Sequence, residues 1–240
     1  MVKKSERDNR RAIAEQLRKE QARKERMRSV LILGACVVVV LGLLGSAGYV
    51  YWQDQREKSE AAGTPLAELG VSESAAACDP VKKVDATGSG DHIDPPTKIP
   101  YPAAPPAFGP HWANYLQGSE IRSLYTTEDR PEVERLVHSL EHGHTILWYD
   151  DAVKPDTQAY KDIEAISEKF DGESDKFIAA PWQASDGKPF PNDKHIALTH
   201  WTGPEKQQGI TQYCRAPSGA VVKQFMADYP ASSAPEPGAP

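Results

Sequence analysis

Three of the chain's seven histidines fall within seven residues, in the run His138-Ser-Leu-Glu141-His142-Gly143-His144. On a helix, residues four apart share one face, so His138 and His142 would direct both imidazoles to one point, which is a sound metal-binding spacing. Glu141 would flank this pair as a third ligand, as a partner that orients an imidazole, or as a general base. His144 follows Gly143 and is expected to fold back to the same point.

Two further histidines lie at either end of a proline-rich segment. His92 stands at its beginning, and His111 closes it in the motif Phe108-Gly-Pro-His111. Residues 92–110 contain seven prolines. Because proline fixes φ and removes a backbone donor, we expect an extended strap lying on the domain, neither a helix nor a central strand. The sequence predicts that this strap brings His111 within reach of the His138/His142 face.

Imidazole and carboxylate groups together favour a transition-metal site, with copper or zinc as the expected ion. The predicted metal ligands are His92, His111, His138, Glu141, His142 and His144. The chain has only three methionines, which disfavours a methionine-rich protein for cuprous ion. Two alternatives remain open. The histidines could form a structural network in an accessory or assembly subunit of a membrane protein complex, or they could serve a small extracytoplasmic enzyme by acid–base catalysis.

An enzyme is the less favoured alternative, because no established catalytic motif occurs. The sequence contains no G-x-S-x-G elbow, no phosphate-binding loop and no C-x-x-C pair. We assign no catalytic residue from the sequence. Charge also limits the partners: residues 1–28 carry a net charge of +6 and the remainder −12. An acidic main domain argues against a nucleic-acid partner, since phosphate binding needs a positive surface.

The uncharged segment from Ser29 to Gln53 is predicted to be a transmembrane helix. About 20 apolar residues suffice to cross the hydrocarbon of a bilayer, whereas the apolar part of a cleaved signal peptide is shorter. The basic flank is N-terminal, so the positive-inside rule places residues 1–28 in the cytoplasm and residues 53–240 outside. Gly42 and Ser46 form a small-residue pattern that could seat a partner helix.

Two of the three cysteines, Cys78 and Cys214, lie on the predicted extracytoplasmic side, where disulfides persist. We therefore predict a Cys78–Cys214 disulfide, against the alternative of two unpaired thiols. Such a bond would close a very long loop and remove about 4–5 kcal/mol of chain entropy from the unfolded state. Cys36 lies within the apolar segment and is expected to be inert.

Composition and periodicity predict an α+β chain in which one N-terminal transmembrane helix precedes a small mixed α/β extracytoplasmic domain. The predicted organisation is a basic helical arm (1–28), the membrane helix (29–53), a linker (54–78), the folded domain (79–230) and a disordered tail (231–240). Within the domain, Val133, Leu136, Val137 and Leu140 follow one helical face, and Gly143 is a natural stop for that helix. Helices are also expected near 156–170 and 218–229, and strands near 145–149, 176–180 and 194–201.

Three motifs, in the same order along the chain, resemble the Domain of Unknown Function 3105 family. They are Tyr101-Pro-Ala-Ala-Pro-Pro-Ala-Phe-Gly-Pro-His-Trp112, His138-Ser-Leu-Glu-His-Gly143 and Ile196-Ala-Leu-Thr-His-Trp201. The resemblance covers about residues 80–230 and implies a bacterial protein with one membrane helix and an exported domain. It marks His111, His138, Glu141, His142 and Gly143 as motif residues and implies no established activity. His144 and Phe108 depart from the family's pattern.

Overall fold

The computed structural model describes residues 2–203 and 206–239 and divides into two units, Met1–Glu57 and Lys58–Pro240. The first helix, α1, runs from Val2 to Gly63 and accounts for all of the first unit that is described. Its part Leu17–Gln53 has a mean hydropathy of 2.7 and is long and apolar enough to cross a membrane. The predicted transmembrane segment lies within this part.

Gly42, part of the small-residue pattern predicted to seat a partner helix, has free space around it within the first unit. A side chain added at Gly42 would meet no atom within 4 Å among the described residues. The Ser46 hydroxyl donates to the Leu43 carbonyl of the same helix. A partner helix at Gly42 and Ser46 therefore remains a prediction.

The second unit is a mixed α and β domain built on a five-stranded sheet, which confirms the predicted fold class. Its elements are α2 (Glu73–Ala76), β1 (Lys82–Asp85), β2 (His92–Ile93), β3 (His111–Trp112), α3 (Val133–Glu141), β4 (Thr145–Asp150), α4 (Gln158–Ser167), β5 (Phe177–Trp182), β6 (Ile196–Thr202), β7 (Gln208–Cys214) and α5 (Gly219–Asp228). The sheet has the order β1-β7-β6-β4-β5. Within this five-stranded sheet β4 and β5 are parallel and are joined through α4, while the other neighbouring strands are antiparallel.

Alternation along the central strands divides the core between the two faces of the sheet. Leu147 and Leu198 face α4 and α5, where they pack with Ile163 and Phe225. On the opposite face, Ile146, Trp148 and Trp201 pack with α3 through the predicted apolar stripe Val133, Leu136, Val137 and Leu140. All four stripe residues are buried, so the periodicity prediction for α3 is confirmed.

The two ends of the domain contain more structure than composition predicts. In the region predicted as a linker, Leu69 and Ala76 are buried in the core that includes α5. In the region predicted as a disordered tail, Ala231–Ser233 form one turn of 3-10 helix and Ala234 is fully buried. Strands β1 and β7 have no counterpart among the predicted strands.

The predicted disulfide is present and joins two distant parts of the second unit. Cys78 and Cys214 are bonded across 136 residues of sequence. Cys214 ends β7, and Cys78 follows α2, so the bond attaches the start of the domain to its central sheet. The bond adds to the backbone hydrogen bonds that hold this segment, in which the Arg215 amide donates to the Ala76 carbonyl and the Gly219 amide donates to the Leu69 carbonyl.

Candidate metal centre

Helix α3 supplies three of the predicted ligands from the side opposite its apolar stripe. His138, Glu141 and His142 are 3%, 5% and 4% exposed, so this side of α3 is buried as well. The helix ends at Glu141, and the amide of the capping residue His142 donates to the His138 carbonyl. Gly143 then takes a φ of +95°, a left-handed conformation that suits glycine and turns the chain into β4.

The proline-rich segment brings two more of the predicted ligands, His92 and His111, together. The short strands β2 and β3 pair in parallel, with His92 directly opposite His111. The His111 amide donates to the Asp91 carbonyl at 3.0 Å. The segment is also attached to α3, because the Ile99 amide donates to the Glu134 carboxylate at 3.2 Å.

Three imidazoles and one carboxylate converge where this segment covers α3. Ligand atoms of His92, His111, His138 and Glu141 all lie within 4.8 Å of one another. The His111 and His138 ring centroids are 4.5 Å apart, which confirms that His111 approaches the face of α3. His92 stacks edge-on against both, with centroids 4.7 Å from His111 and 5.0 Å from His138. We call these four residues the His3Glu cluster.

The central contact of the His3Glu cluster is unusual for a buried histidine and carboxylate. Nε2 of His111 lies 2.9 Å from Oε2 of Glu141, yet both atoms are buried without a hydrogen-bond partner. A carboxylate oxygen and an imidazole nitrogen that has no proton are both acceptors, so they cannot form a hydrogen bond with each other. Two buried polar atoms that face each other without bonding are suited to sharing a cation.

The other ring nitrogens orient the imidazoles in the way metal sites do. Nδ1 of His138 lies 2.6 Å from the Trp112 carbonyl oxygen, and Nδ1 of His111 lies 2.9 Å from that of Gly109. A carbonyl only accepts, so each Nδ1 is the donor and each Nε2 keeps its lone pair. Backbone carbonyls commonly hold metal-binding imidazoles in this tautomer.

The protonation states of His138 and Glu141 near neutral pH suit both residues to metal binding. Burial lowers the pKa of His138 to about 4, helped by the neighbouring imidazoles and opposed by the bond to Trp112. Burial alone would raise the pKa of the Glu141 carboxyl, but His111, His138 and His92 outweigh it and lower that pKa. Near neutral pH the cluster therefore offers an unprotonated His138 and an ionised carboxylate.

The distances fit a single ion. Two nitrogen or oxygen ligands, each about 2.0–2.2 Å from one ion, are separated by about 3–4 Å. The Glu141 Oε2 atom lies 2.9 Å from His111 Nε2 and 3.8 Å from His92 Nε2, within that range. The His92 side chain is 46% exposed, so the cluster reaches solvent on one side.

His142 does not join the His3Glu cluster but belongs to a second group with Glu141 and Glu236. His144 lies outside both groups, although the sequence predicts that it folds back to the same point. Its Nδ1 lies 3.0 Å from the Ser139 carbonyl oxygen, and its ring is buried at the start of β4. The reason is that the turn at Gly143 directs the chain into the sheet.

Two residues that shape the site were not found by sequence reasoning. Glu236 lies in the Pro/Ala-rich tail, where no pattern marks a lone carboxylate. Gly90 lies beside Glu141, since a Cβ at Gly90 would be 2.8 Å from Oε1 of Glu141 and 3.6 Å from Trp201. A glycine two residues before His92 is the one signal in the sequence for a close approach there.

The fold and the site thus define a mixed α and β domain with a cluster of three histidines and a carboxylate on one face of its sheet, buried except at His92. The chain belongs to the family described as "Protein of unknown function (DUF3105)", whose model matches residues 92–240. The match begins at His92 and so includes all four residues of the His3Glu cluster. Neither the search of curated proteins nor that of solved structures found a match.

Proposed function

We propose that this protein is a single-pass, membrane-anchored, extracytoplasmic protein that binds a transition-metal ion through the His3Glu cluster. The observation that carries the proposal is the pair of buried, unpartnered atoms, His111 Nε2 and Glu141 Oε2, 2.9 Å apart. Two buried polar atoms that face each other without a hydrogen bond are unfavourable, and a cation bound between them would remove that penalty.

The ligand types support zinc or cupric copper. Imidazole nitrogen and carboxylate oxygen suit both ions, whereas cuprous copper prefers the sulfur of cysteine or methionine. No sulfur ligand belongs to either group of candidate ligands among the described residues. The exposed side of His92 gives an ion a route from solvent into the cluster.

The apolar part of α1 and the disulfide support the location. A basic arm over 1–28 and a membrane helix over 29–53 favour a cytoplasmic N-terminus. The Cys78–Cys214 bond fits an oxidising compartment for the domain of about 79–230. A C-terminal alkaline phosphatase fusion in a bacterial host should be active, and a matching fusion after residue 28 inactive. The reverse pattern would contradict this orientation.

Metal analysis tests the function directly. The full chain, purified in detergent and stripped with a chelator, should take up zinc or copper stoichiometrically and melt at a higher temperature with the ion bound. H111A and H138A should lose that uptake. H195A is the matched control, because His195 pairs with Asp150 away from the cluster.

The metal proposal fails if the wild-type chain takes up no stoichiometric zinc or copper and neither ion changes its melting temperature. It also fails if H111A and H138A fold and still bind as well as H195A does. Circular dichroism of each variant separates loss of binding from loss of folding.

A further inference from the structure

Glu141 belongs to two groups of candidate ligands that lie side by side on α3. The first is the His3Glu cluster, and the second consists of Glu141, His142 and Glu236. The two groups are adjacent because the ring centroids of His138 and His142 are only 4.5 Å apart. A carboxylate has two oxygens, so one glutamate can serve ions on both sides.

The distances within the second group suit an ion better than a direct bond. His142 Nε2 and Glu236 Oε2 are 3.7 Å apart, longer than a hydrogen bond. This separation falls within the range of about 3–4 Å expected for two ligands of one ion. The His142 side chain is 5% exposed and the Glu236 side chain 54% exposed, so the group opens to solvent.

The tail that carries Glu236 is held in place by its backbone. The Glu236 amide donates to the Glu141 carbonyl at 3.0 Å, which places the two glutamates next to each other. Ala234 is fully buried. The tail also packs closely on Gly143, where a Cβ would lie 2.8 Å from the Ala231 carbonyl oxygen. These contacts hold the tail against the end of α3 and so keep Glu236 beside Glu141.

We propose that a second transition-metal ion binds beside the first, held by Glu141, His142 and Glu236, with the Glu141 carboxylate bridging the two ions. This inference rests on the proposed function. The second ion binds more weakly and exchanges faster, because Glu236 is half exposed and its carboxylate must give up more water than the buried Glu141 to bind. The tail is then part of the metal centre.

Zinc titration of the full chain in detergent, after chelator treatment, tests this inference. The wild-type chain should bind two zinc ions in two distinguishable steps. E236Q should keep the tighter step and weaken the other by at least about tenfold, as expected when a ligand is lost. The matched control is E68Q, since Glu68 is also an exposed glutamate but lies far from α3 in sequence and in neither ligand group.

Copper gives a second readout that a surface ion would not reproduce. Two cupric ions that share a carboxylate couple magnetically, so their paramagnetic resonance signal is reduced at two equivalents. E236Q should show the full signal of one isolated ion. Binding to unrelated surface groups would leave the signals of two isolated ions in both chains and would overturn the bridged site.

The remaining outcomes separate the two proposals. If the wild-type chain binds one zinc ion and H111A loses it, the second site is overturned while the proposed function stands. If the wild-type chain binds none, both are overturned. If two ions bind and E236Q retains both steps unchanged, the second ion lies elsewhere and the bridged site is overturned.

Discussion

His111 Nε2 and Glu141 Oε2 lie 2.9 Å apart in the interior of the domain, and neither has a hydrogen bond. His111 reaches this position from the proline-rich segment, and Glu141 reaches it from the last turn of α3. Elsewhere the proline-rich segment and α3 are joined by a hydrogen bond, which the Ile99 amide donates to the Glu134 carboxylate. The unbonded pair is therefore a local feature of the cluster, and it sets expectations for the two buried glutamates of α3.

Exchanging each glutamate for glutamine should separate metal binding from folding. E141Q should weaken zinc or copper binding by about 100-fold or more, since a charged ligand is lost. It should change the unfolding free energy of the metal-free chain by less than about 1 kcal/mol, because Oε2 has no hydrogen bond to lose. Calorimetric titration and urea unfolding measure the two effects.

E134Q is the matched control for E141Q, on the same helix and equally buried. Glu134 accepts from the Ile99 amide and lies 3.5 Å from Lys98 Nζ, so it has partners that Glu141 Oε2 lacks. E134Q should retain metal affinity and lose about 1 kcal/mol of stability. The opposite assignment, with E134Q losing the metal and E141Q the stability, would contradict the site.

Adding one methyl group at Gly90 should disturb the metal centre through Glu141. The new Cβ would lie 2.8 Å from Glu141 Oε1, so the carboxylate must move. G90A should weaken metal binding by about tenfold while the chain still folds. G63A is the control, because a Cβ there meets nothing within 4 Å. Equal affinities for the two variants would show that the carboxylate position does not matter.

Removing the disulfide should destabilise the domain through its unfolded state. The bond closes a loop of 136 residues, worth about 5 kcal/mol on the loop-entropy estimate. The C78S/C214S double variant should therefore unfold at a much lower urea concentration than the wild type. C36S, which lacks the cysteine outside this pair, should match the wild type. An unchanged midpoint for the double variant would contradict a structural role for the bond.

His200 should make the domain sensitive to acid. Burial lowers the pKa of His200 from 6.5 to about 4. Between pH 6.5 and pH 4 this histidine is therefore protonated in the unfolded chain and neutral in the folded chain. Its contribution is fully present above pH 6.5 and is lost as the pH falls toward 4, by on the order of 3 kcal/mol. H200Q should remove this part of the pH dependence, measured by urea unfolding of the metal-free chain.

T145V controls for the packing change at His200. The Thr145 hydroxyl lies 3.4 Å from His200 Nδ1, so this variant alters the same contact and leaves the titrating ring in place. It should lose stability by a similar amount at every pH. If the unfolding free energy of H200Q and that of T145V fall with the same slope between pH 6.5 and pH 4, His200 is not the titrating group.

Periodicity predicted α3 correctly because its two sides have different chemistry. The stripe from Val133 to Leu140 requires an apolar surface, and the alternating strands of the sheet supply it. The same spacing placed His138 and His142 on the other side of the helix with Glu141 at its flank, whereas the structure groups His138 with Glu141 and places His142 in the second group. The spacing did not show that this side is buried too, because the covering segment lies about thirty residues upstream and its path depends on tertiary contacts.

Local patterns carried less information at the two ends of the domain. Strand β7 mixes Gly209 and Gln212 with apolar residues, so its sequence lacks the clear alternation of a half-buried strand. The tail has a composition typical of disorder, yet Ala234 is buried and Glu236 bonds to Glu141. Small residues can pack closely without leaving a periodic signal, so composition alone underestimates such contacts.

The sequence by itself determined the apolar segment that is long enough to cross a membrane, the disulfide pair, the mixed fold class and the spacing of His138 and His142 with Glu141 at their flank. Each of these depends on composition or on neighbours within about one helical turn. Only the tertiary structure decided which other groups meet them. It brought His92 and His111 to α3, directed His144 into the sheet and placed Glu236 beside His142. Those outcomes depend on how segments that are distant in sequence pack together, and the spacing of residues within one segment does not show which distant segments it will contact.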